Sequence, residues 1–152
     1  MSHSADLDRK VLAAVERLGR ALRAARQDVA TRHEVSLLGL SVIETLADGR
    51  PRRVGDLAAE LDVSQPTVSD AVTVLDKRGL IRRDRDPADL RSTLVALTDD
   101  GDRLAADAAA ELAPLLAAGS GTDADRATTL RVLLGEIARL QAAGVITVNR
   151  SC

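Results

Sequence analysis

The sequence of 152 residues contains no phenylalanine, tyrosine or tryptophan. Because unpaired bases are recognised largely by stacking on aromatic rings, this absence counts against single-strand binders and RNA-recognition sheets. It does not count against readers of duplex DNA, whose helices use polar and basic side chains. The core must be filled by leucine, valine, isoleucine and alanine, which pack well between helices.

Cysteine is nearly absent, since Cys152 is the only one. A single cysteine excludes an intramolecular disulfide framework and a thiolate metal cluster within one chain, which favours a reducing cytoplasm. Cys152 could serve as a redox switch or an intermolecular crosslink, but an incidental role is the expectation. His3 and His33 have no ligand cluster beside them, and no catalytic constellation of carboxylates emerges. We therefore expect no metal, no cofactor and no enzyme activity.

An excess of positive charge is also missing, because the formal net charge is -2 at pH 7. Attraction to nucleic acid must then come from a local basic patch. No hydrophobic run approaches the length of a membrane span, and residues 1–8 lack the apolar segment of a signal peptide, so no membrane association is expected. With 45% hydrophobic residues, 29% charged residues and four prolines, the composition indicates one globular domain over residues 1–152.

Two helices are predicted in the first part of the chain. Apolar residues at intervals of three or four from Leu7 to Val29 predict a long amphipathic helix. Thr31 followed by Glu34 is a capping-box pattern, which predicts that a second helix begins there. A short extended segment over residues 52–54 follows.

The middle of the chain predicts a short helix, a tight turn, a second helix and a β-hairpin. The short helix is predicted over Asp56–Leu61, the turn at Asp62–Val63 and the second helix over Ser64–Arg78, with Ser64 as its N-cap. The hairpin strands are predicted at Leu80–Arg85 and Ser92–Thr98. A hairpin directly after a helix-turn-helix supplies a second DNA-contacting element, so this order indicates a winged helix-turn-helix. The expected fold class is mostly α with a small β-hairpin, an α+β fold.

Further helices are predicted after Thr98, which can cap a helix that reaches about Ala118 and that Pro114 kinks or weakens. A last apolar stripe consists of Leu130, Leu133, Ile137 and Leu140. The terminal stripes exceed what a winged-helix core needs to cover itself, so we expect a homodimer. We expect residues 31–98 to form the DNA-binding lobe and residues 5–30 and 99–145 to form dimerisation helices.

Candidate DNA-binding residues lie on the polar face of the second helix of the motif, at its N-terminal end and along the hairpin. They are Ser64, Gln65, Pro66, Thr67, Ser69, Asp70, Thr73, Lys77, Arg82, Arg83, Arg85, Asp89 and Arg91. The basic residues from Lys77 to Arg85 are opposed in that segment only by Asp84, and they form either a DNA footprint or an ordinary solvated face. Asp70 is unfavourable near phosphate unless it accepts a hydrogen bond from cytosine or pairs with a cation, and both remain open.

Five segments carry a resemblance to a known family. They are Val54–Ala58, Ser64–Ser69, Leu75–Ile81, Asp89–Arg91 and Leu97–Gly101. In these segments, and in their order and spacing, the chain resembles the MarR family of winged-helix regulators over nearly its whole length. Asp70 departs from the family pattern, in which a basic residue is frequent at that position.

The resemblance implies a dimer of the first and last helices that binds double-stranded DNA, with a recognition helix in the major groove. It further implies that Arg91 enters the minor groove and that Asp89 orients it. The alternative for this pair is a surface salt bridge that stiffens the turn. The expected function is a repressor on a pseudo-palindromic operator, released by a small-molecule effector that binds between the dimerisation helices and the DNA-binding lobe. The alternative function is a winged-helix protein-interaction module.

Overall fold

The computed structural model describes residues 2–117 together with Thr122, Arg131, Gly135 and Arg139. The elements within residues 2–117 are α1 (Ser2–Arg32), α2 (Leu37–Leu46), β1 (Arg52–Arg53), α3 (Val54–Glu60), α4 (Gln65–Lys77), β2 (Ile81–Asp86), β3 (Asp89–Leu97) and α5 (Asp99–Ala117). The expected α+β class, mostly helical with a small hairpin, is confirmed. The last predicted stripe and Cys152 lie outside the described residues, as do the side chains of Leu7 and Val11.

The sheet is antiparallel with three strands in the order β1-β3-β2. The hairpin of β2 and β3 pairs Ile81 with Leu97, and its register is irregular between Arg85 and Asp86. On the other side of β3, β1 pairs Arg53 with Leu94. The sequence predicts the extended segment at residues 52–54 but not its pairing. Through this pairing, β1 joins the start of the helix-turn-helix to the hairpin.

Aliphatic side chains fill the core, as the absence of aromatic residues requires. Leu40 and Ile43 of α2, Leu57 of α3, Val72 of α4 and Val95 of β3 are each fully buried. The end of α1 and the middle of α5 close this core, where Val29, Ala30 and Ala108 are buried. The core therefore holds α4 against α2 and α3 on one side only, and the other side faces solvent.

The turn between α3 and α4 has the predicted chemistry. Asp62 adopts the left-handed conformation with φ of 53°, and Ser64 caps α4 by accepting a hydrogen bond from the Thr67 N–H. Gly79, with φ of 69°, ends the helix. The short helix α3 begins two residues earlier than predicted, at Val54.

The predicted capping box at Thr31 and Glu34 is wrong. Helix α1 continues through Thr31 to Arg32, and the Thr31 hydroxyl donates to the carbonyl oxygen of Gln27 at 2.8 Å. Glu34 lies in the left-handed region with φ of 56°. The N-cap of α2 is Ser36, whose hydroxyl accepts a hydrogen bond from the Gly39 N–H at 2.9 Å. Burial of Val29 and Ala30 against the core extends α1 past the local capping pattern.

Ser36→Ala is expected to lower the free energy of unfolding by about 1 kcal/mol, because the Gly39 N–H loses its acceptor. Thr31→Ala is the matched control and should cost much less, since Thr31 is exposed inside a helix. Urea unfolding of both variants measures the difference. Equal losses would contradict the assignment of Ser36 as the cap.

Thr98 caps α5, as predicted, by accepting a hydrogen bond from the Gly101 N–H at 3.2 Å. Asp99, Asp100 and Asp102 occupy the first turn, where negative charge is favoured. The helix continues through Pro114 to Ala117. Within the described part of the chain, no helix combines the length and the apolar character that crossing a membrane requires.

Candidate nucleic-acid interface

Helix α4 presents a polar face to solvent. Its inward residues Val68, Val72 and Leu75 are buried, and Ala71 is half-buried. The exposed candidates on this helix and its cap are Ser64, Gln65, Pro66, Thr67, Asp70 and Lys77. Ser69 and Thr73 are half-buried and lie towards the hairpin. The predicted division of α4 into an inward and an outward face is therefore present.

Arg83 of β2 joins the hairpin to α4. Its guanidinium donates to the Thr73 hydroxyl at 2.8 Å and lies 3.3 Å from the Asp76 carboxylate. Asp76, which lies just before the Lys77–Arg85 segment, therefore opposes one of its basic residues in addition to Asp84. Asp84 pairs with Arg82 at 3.8 Å.

Arg78, although it belongs to the basic segment from Lys77 to Arg85, points away from the other basic side chains. Its guanidinium donates hydrogen bonds to the carbonyl oxygens of His33 and Glu34 in the turn between α1 and α2. Lys77, Arg85 and Arg91, by contrast, are exposed and form no side-chain ion pair within residues 2–117. The free positive charge therefore lies at the end of α4 and along the hairpin.

The hairpin, called the wing below, consists of β2, the turn at Pro87 and Ala88, and β3. Asp89 accepts hydrogen bonds from the backbone N–H of Arg91 at 3.1 Å and from the hydroxyl of Ser92 at 2.7 Å. These hydrogen bonds, with the Ser92 hydroxyl the larger cause, hold the pKa of Asp89 below its ordinary value. Asp89 thus fixes the backbone of Arg91, whose guanidinium stays exposed, rather than forming the alternative salt bridge with it.

An ion pair between Asp86 and Arg53 anchors the tip of the wing, with the Asp86 side chain buried and the Arg53 side chain 43% exposed. Asp86 is 5% exposed and is the buried charged residue of the described chain. Its carboxylate accepts hydrogen bonds from the Ala88 backbone N–H at 2.8 Å and from the Arg53 Nε at 2.7 Å. The bond from Ala88, followed by that from Arg53, lowers the pKa of Asp86. The carboxylate therefore stays ionised and ties the wing turn to β1.

The wing and α4 enclose a cleft of about 350 Å³, called the wing cleft below. It is lined by Arg53, Arg83 and Arg91 and by the polar side chains of Gln65 and Ser69. Asp56 is a carboxylate on the same lining. The wing cleft thus brings together residues of β1, α4 and both strands of the wing, with guanidinium groups outnumbering carboxylates.

A second cleft, of about 610 Å³, lies between α1, α2 and the turn after α3. Leucine and valine side chains line most of it, and Arg23 and Arg26 of α1 join them. Arg26 donates a hydrogen bond to the Ser41 hydroxyl at 3.0 Å and pairs with Glu44. The cleft therefore lies between α1 and elements that pack against α4.

Comparison with known proteins identifies the winged region. Residues 35–92 match the sequence model of the MarR family. These residues run from the turn before α2 into β3 and include the whole helix-turn-helix. The resemblance inferred from the sequence is confirmed. No curated protein matches the chain.

Solved structures extend the likeness beyond the winged helix. A MarR family transcription regulator has a TM-score of 0.79 and 23% identity, over 95% of this chain and 97% of that one. CouR from Rhodococcus jostii RHA1, bound to p-coumaroyl-CoA, has a TM-score of 0.68 and 25% identity, over 82% of this chain and 89% of its own. NadR in complex with 4-hydroxyphenylacetate has a TM-score of 0.70 and 21% identity, over 86% and 93%. The chain therefore has the fold of MarR-family transcription regulators.

Three features of the winged helix cannot be read from the local sequence pattern. Arg53 and Asp86 are 33 positions apart, so no local sequence pattern predicts their ion pair. Asp76 pairs with Arg83 of the neighbouring strand, a contact that depends on how α4 and β2 pack. Val74 is 57% exposed and lies one turn after Asp70 on the outward side of α4, where helical spacing alone could have found it.

Proposed function

We propose that the chain is a regulator of transcription that binds specific sites in duplex DNA, acts as a repressor in the cytoplasm and has no enzyme activity. The observation that carries the proposal is the convergence of the polar face of α4 and the exposed arginines of the wing on one side of a MarR-family winged helix. A helix of this kind fits the major groove, and a flanking hairpin reaches the minor groove.

Each part of the interface has a distinct role in this proposal. The N-terminal end of α4, from Ser64 to Thr67, approaches base edges and phosphates, and Asp70 accepts a hydrogen bond from a cytosine or pairs with a cation. Lys77 and Arg85 supply phosphate contacts, since both are exposed and unpaired within residues 2–117. Arg91 enters the minor groove, whose negative potential favours a guanidinium.

We propose that two chains bind DNA together. Residues 31–98 form the DNA-binding lobe, and residues 5–30 and 99–145 form the dimerisation helices. Leu12, Val15 and Leu18, called the α1 stripe below, are between 48% and 60% exposed on one side of α1, which supports a partner helix there. A two-fold axis between the lobes would present the two α4 helices to half-sites about 10 bp apart.

The second cleft supports release by a small molecule. Its walls are α1, proposed as a dimerisation helix, and α2 and the α3 turn, which carry α4. A ligand that binds there with different affinity in two arrangements would change the spacing of the two α4 helices and weaken binding to the operator. The lining favours a largely apolar ligand with a negatively charged group that Arg23 can pair with.

The proposal is tested by selecting sites from a random-sequence duplex library with the wild type and with Arg91→Ala. We expect a two-fold-symmetric operator for the wild type and an affinity about tenfold to hundredfold lower for the variant, the loss expected for one groove-reading side chain. The melting temperature should not change, because the Arg91 side chain is exposed and unpaired. Arg17→Ala, an exposed arginine on α1, is the matched control and should bind like the wild type.

A second candidate function is a winged helix that binds another protein. The exposed Asp70 on the outward face of α4 and the net charge of -2 favour it. Salt-sensitive retention of random DNA without an enriched site, equal for wild type and Arg91→Ala, would support this candidate and reject the operator proposal.

A further inference from the structure

We infer that the ion pair of Arg53 and Asp86 sets the distance between the wing and α4, which makes Arg53 a positioning residue for the minor-groove contact of Arg91. The inference rests on the DNA-binding function proposed above. It assigns a role to two residues of the interface that lie outside the predicted recognition set.

Asp86 is bound both by the wing turn and by β1. On one side, its carboxylate accepts the backbone N–H of Ala88 and closes the turn at the wing tip. On the other, it accepts hydrogen bonds from Arg53 of β1, with the side chain of Asp86 only 7% exposed. A buried carboxylate is costly unless it is fully paired, so a wing displaced from Arg53 would leave this charge uncompensated.

Arg53 is rigidly attached to the other half of the interface. Its backbone pairs with Leu94 in the sheet and directly precedes α3, whose residues pack against α4. The guanidinium is a planar group with fixed hydrogen-bond directions, and two of its nitrogens reach one carboxylate oxygen of Asp86. The pair therefore links the helix-turn-helix to the wing tip at a defined separation.

Arg91 depends on this link because it shares the wing cleft with Arg53. The wing is a two-stranded ribbon beyond the end of β1, and its register is irregular between Arg85 and Asp86, next to the ion pair. An irregular two-stranded tip is marginally stable without further contacts. Anchoring the tip at Asp86 keeps Arg91 at the distance from α4 that simultaneous occupation of neighbouring grooves requires.

If Asp86 acted only through its charge, removing it would change the affinity for DNA in the opposite direction. The direction of the change therefore tests the inference. Removing a carboxylate from a DNA-facing surface increases its positive charge and should tighten binding. If Asp86 positions the wing, Asp86→Asn should instead weaken binding to the operator about as much as Arg91→Ala does, by about tenfold or more, because it loses the charged half of the anchor. Asp84→Asn is the matched control: it removes an exposed carboxylate from the same strand, and its binding should be equal or tighter.

The experiment measures the affinity of the full chain for the operator duplex selected by the wild type, for Asp86→Asn, Arg91→Ala and the double variant. We expect Arg91→Ala to cost at least tenfold in the wild type and less than threefold in the Asp86→Asn background, since a detached wing no longer delivers Arg91. Minor-groove protection from hydroxyl radicals should be lost in Asp86→Asn, while major-groove protection of guanine N7 should remain. A structural defect alone would reduce both protections together.

Arg53→Lys provides a second route in case Asp86→Asn does not fold. It keeps the positive charge but not the planar fork, so it should lose minor-groove protection in the same way. Equal or tighter binding by Asp86→Asn, or an undiminished effect of Arg91→Ala in its background, would overturn the positioning role while leaving the operator proposal intact. Failure of the wild type to select any operator would overturn both.

Discussion

Gly101→Ala is expected to lower the free energy of unfolding by about 3 kcal/mol, which corresponds to a fall of roughly 6–12 °C in Tm for a chain of this size. A Cβ on Gly101 would lie 2.0 Å from the carbonyl oxygen of Leu80 and 3.2 Å from a methyl carbon of Leu97. The oxygen belongs to the backbone, so no side-chain rotation relieves the contact. The start of α5 would have to move away from the sheet.

The neighbouring backbone resists such a movement. The same Leu80 carbonyl oxygen accepts the N–H of Thr98 at 3.2 Å, and the Leu80 N–H donates to Leu75 of α4 at 3.0 Å. The Thr98 hydroxyl both donates to the Gly79 carbonyl oxygen and caps α5. Displacing Gly101 therefore strains the junction of α4, the wing and α5 together, and the intrinsic helix preference for alanine offsets only about 1 kcal/mol of this cost.

Gly19→Ala is the matched control, because Gly19 lies in the interior of α1 with no atom within 4 Å of an added Cβ. This change should raise the free energy of unfolding by about 0.5–1 kcal/mol through helix propensity. Urea unfolding followed by circular dichroism measures both variants. Similar stabilities for Gly101→Ala and Gly19→Ala would contradict the close approach of α5 to Leu80.

Replacing Leu12 and Leu18 together by glutamate is expected to convert the proposed dimer into monomers and to weaken operator binding at least about a hundredfold. The two side chains are 60% and 53% exposed, and Val15 between them is 48% exposed, so within one chain they gain little from burial. Charges on the α1 stripe would have to be desolvated in a dimer interface. A monomer binds each half-site separately and loses the advantage of joint occupation.

Sedimentation equilibrium gives the association state of this variant, and titration with the selected operator gives its affinity. Ala13→Glu with Ala24→Glu is the matched control, since both alanines are exposed and helical spacing puts them on the opposite face of α1 from the α1 stripe. The control should remain dimeric and bind like the wild type. A wild type that sediments as a monomer, or a dimer unaffected by the leucine changes, would reject this interface.

Predictions from the sequence succeeded where a structure depends on neighbours within a few residues. Ser64 caps α4 and Asp62 makes the preceding turn, because each role is set by hydrogen bonds or backbone angles confined to one turn of chain. The same reasoning failed at Thr31. The capping-box pattern there does not start a helix, because burial of Val29 and Ala30 against the core continues α1 through this residue. Where a helix ends depends both on local capping residues and on burial against distant parts of the chain, and the local sequence does not reveal that burial.

The order of the elements, the inward and outward faces of α4 and the aliphatic nature of the core follow from the amino-acid sequence alone. Periodicity and turn chemistry are local properties, and they were sufficient for these features. Which charged side chains are unpaired depends on the three-dimensional packing. It joins Arg53 to Asp86 and Arg83 to Asp76, and it turns Arg78 towards the carbonyl oxygens of residues 33 and 34. Such pairs form when packing brings distant segments within hydrogen-bond distance, and side-chain type alone does not specify which of several arginines a carboxylate will meet.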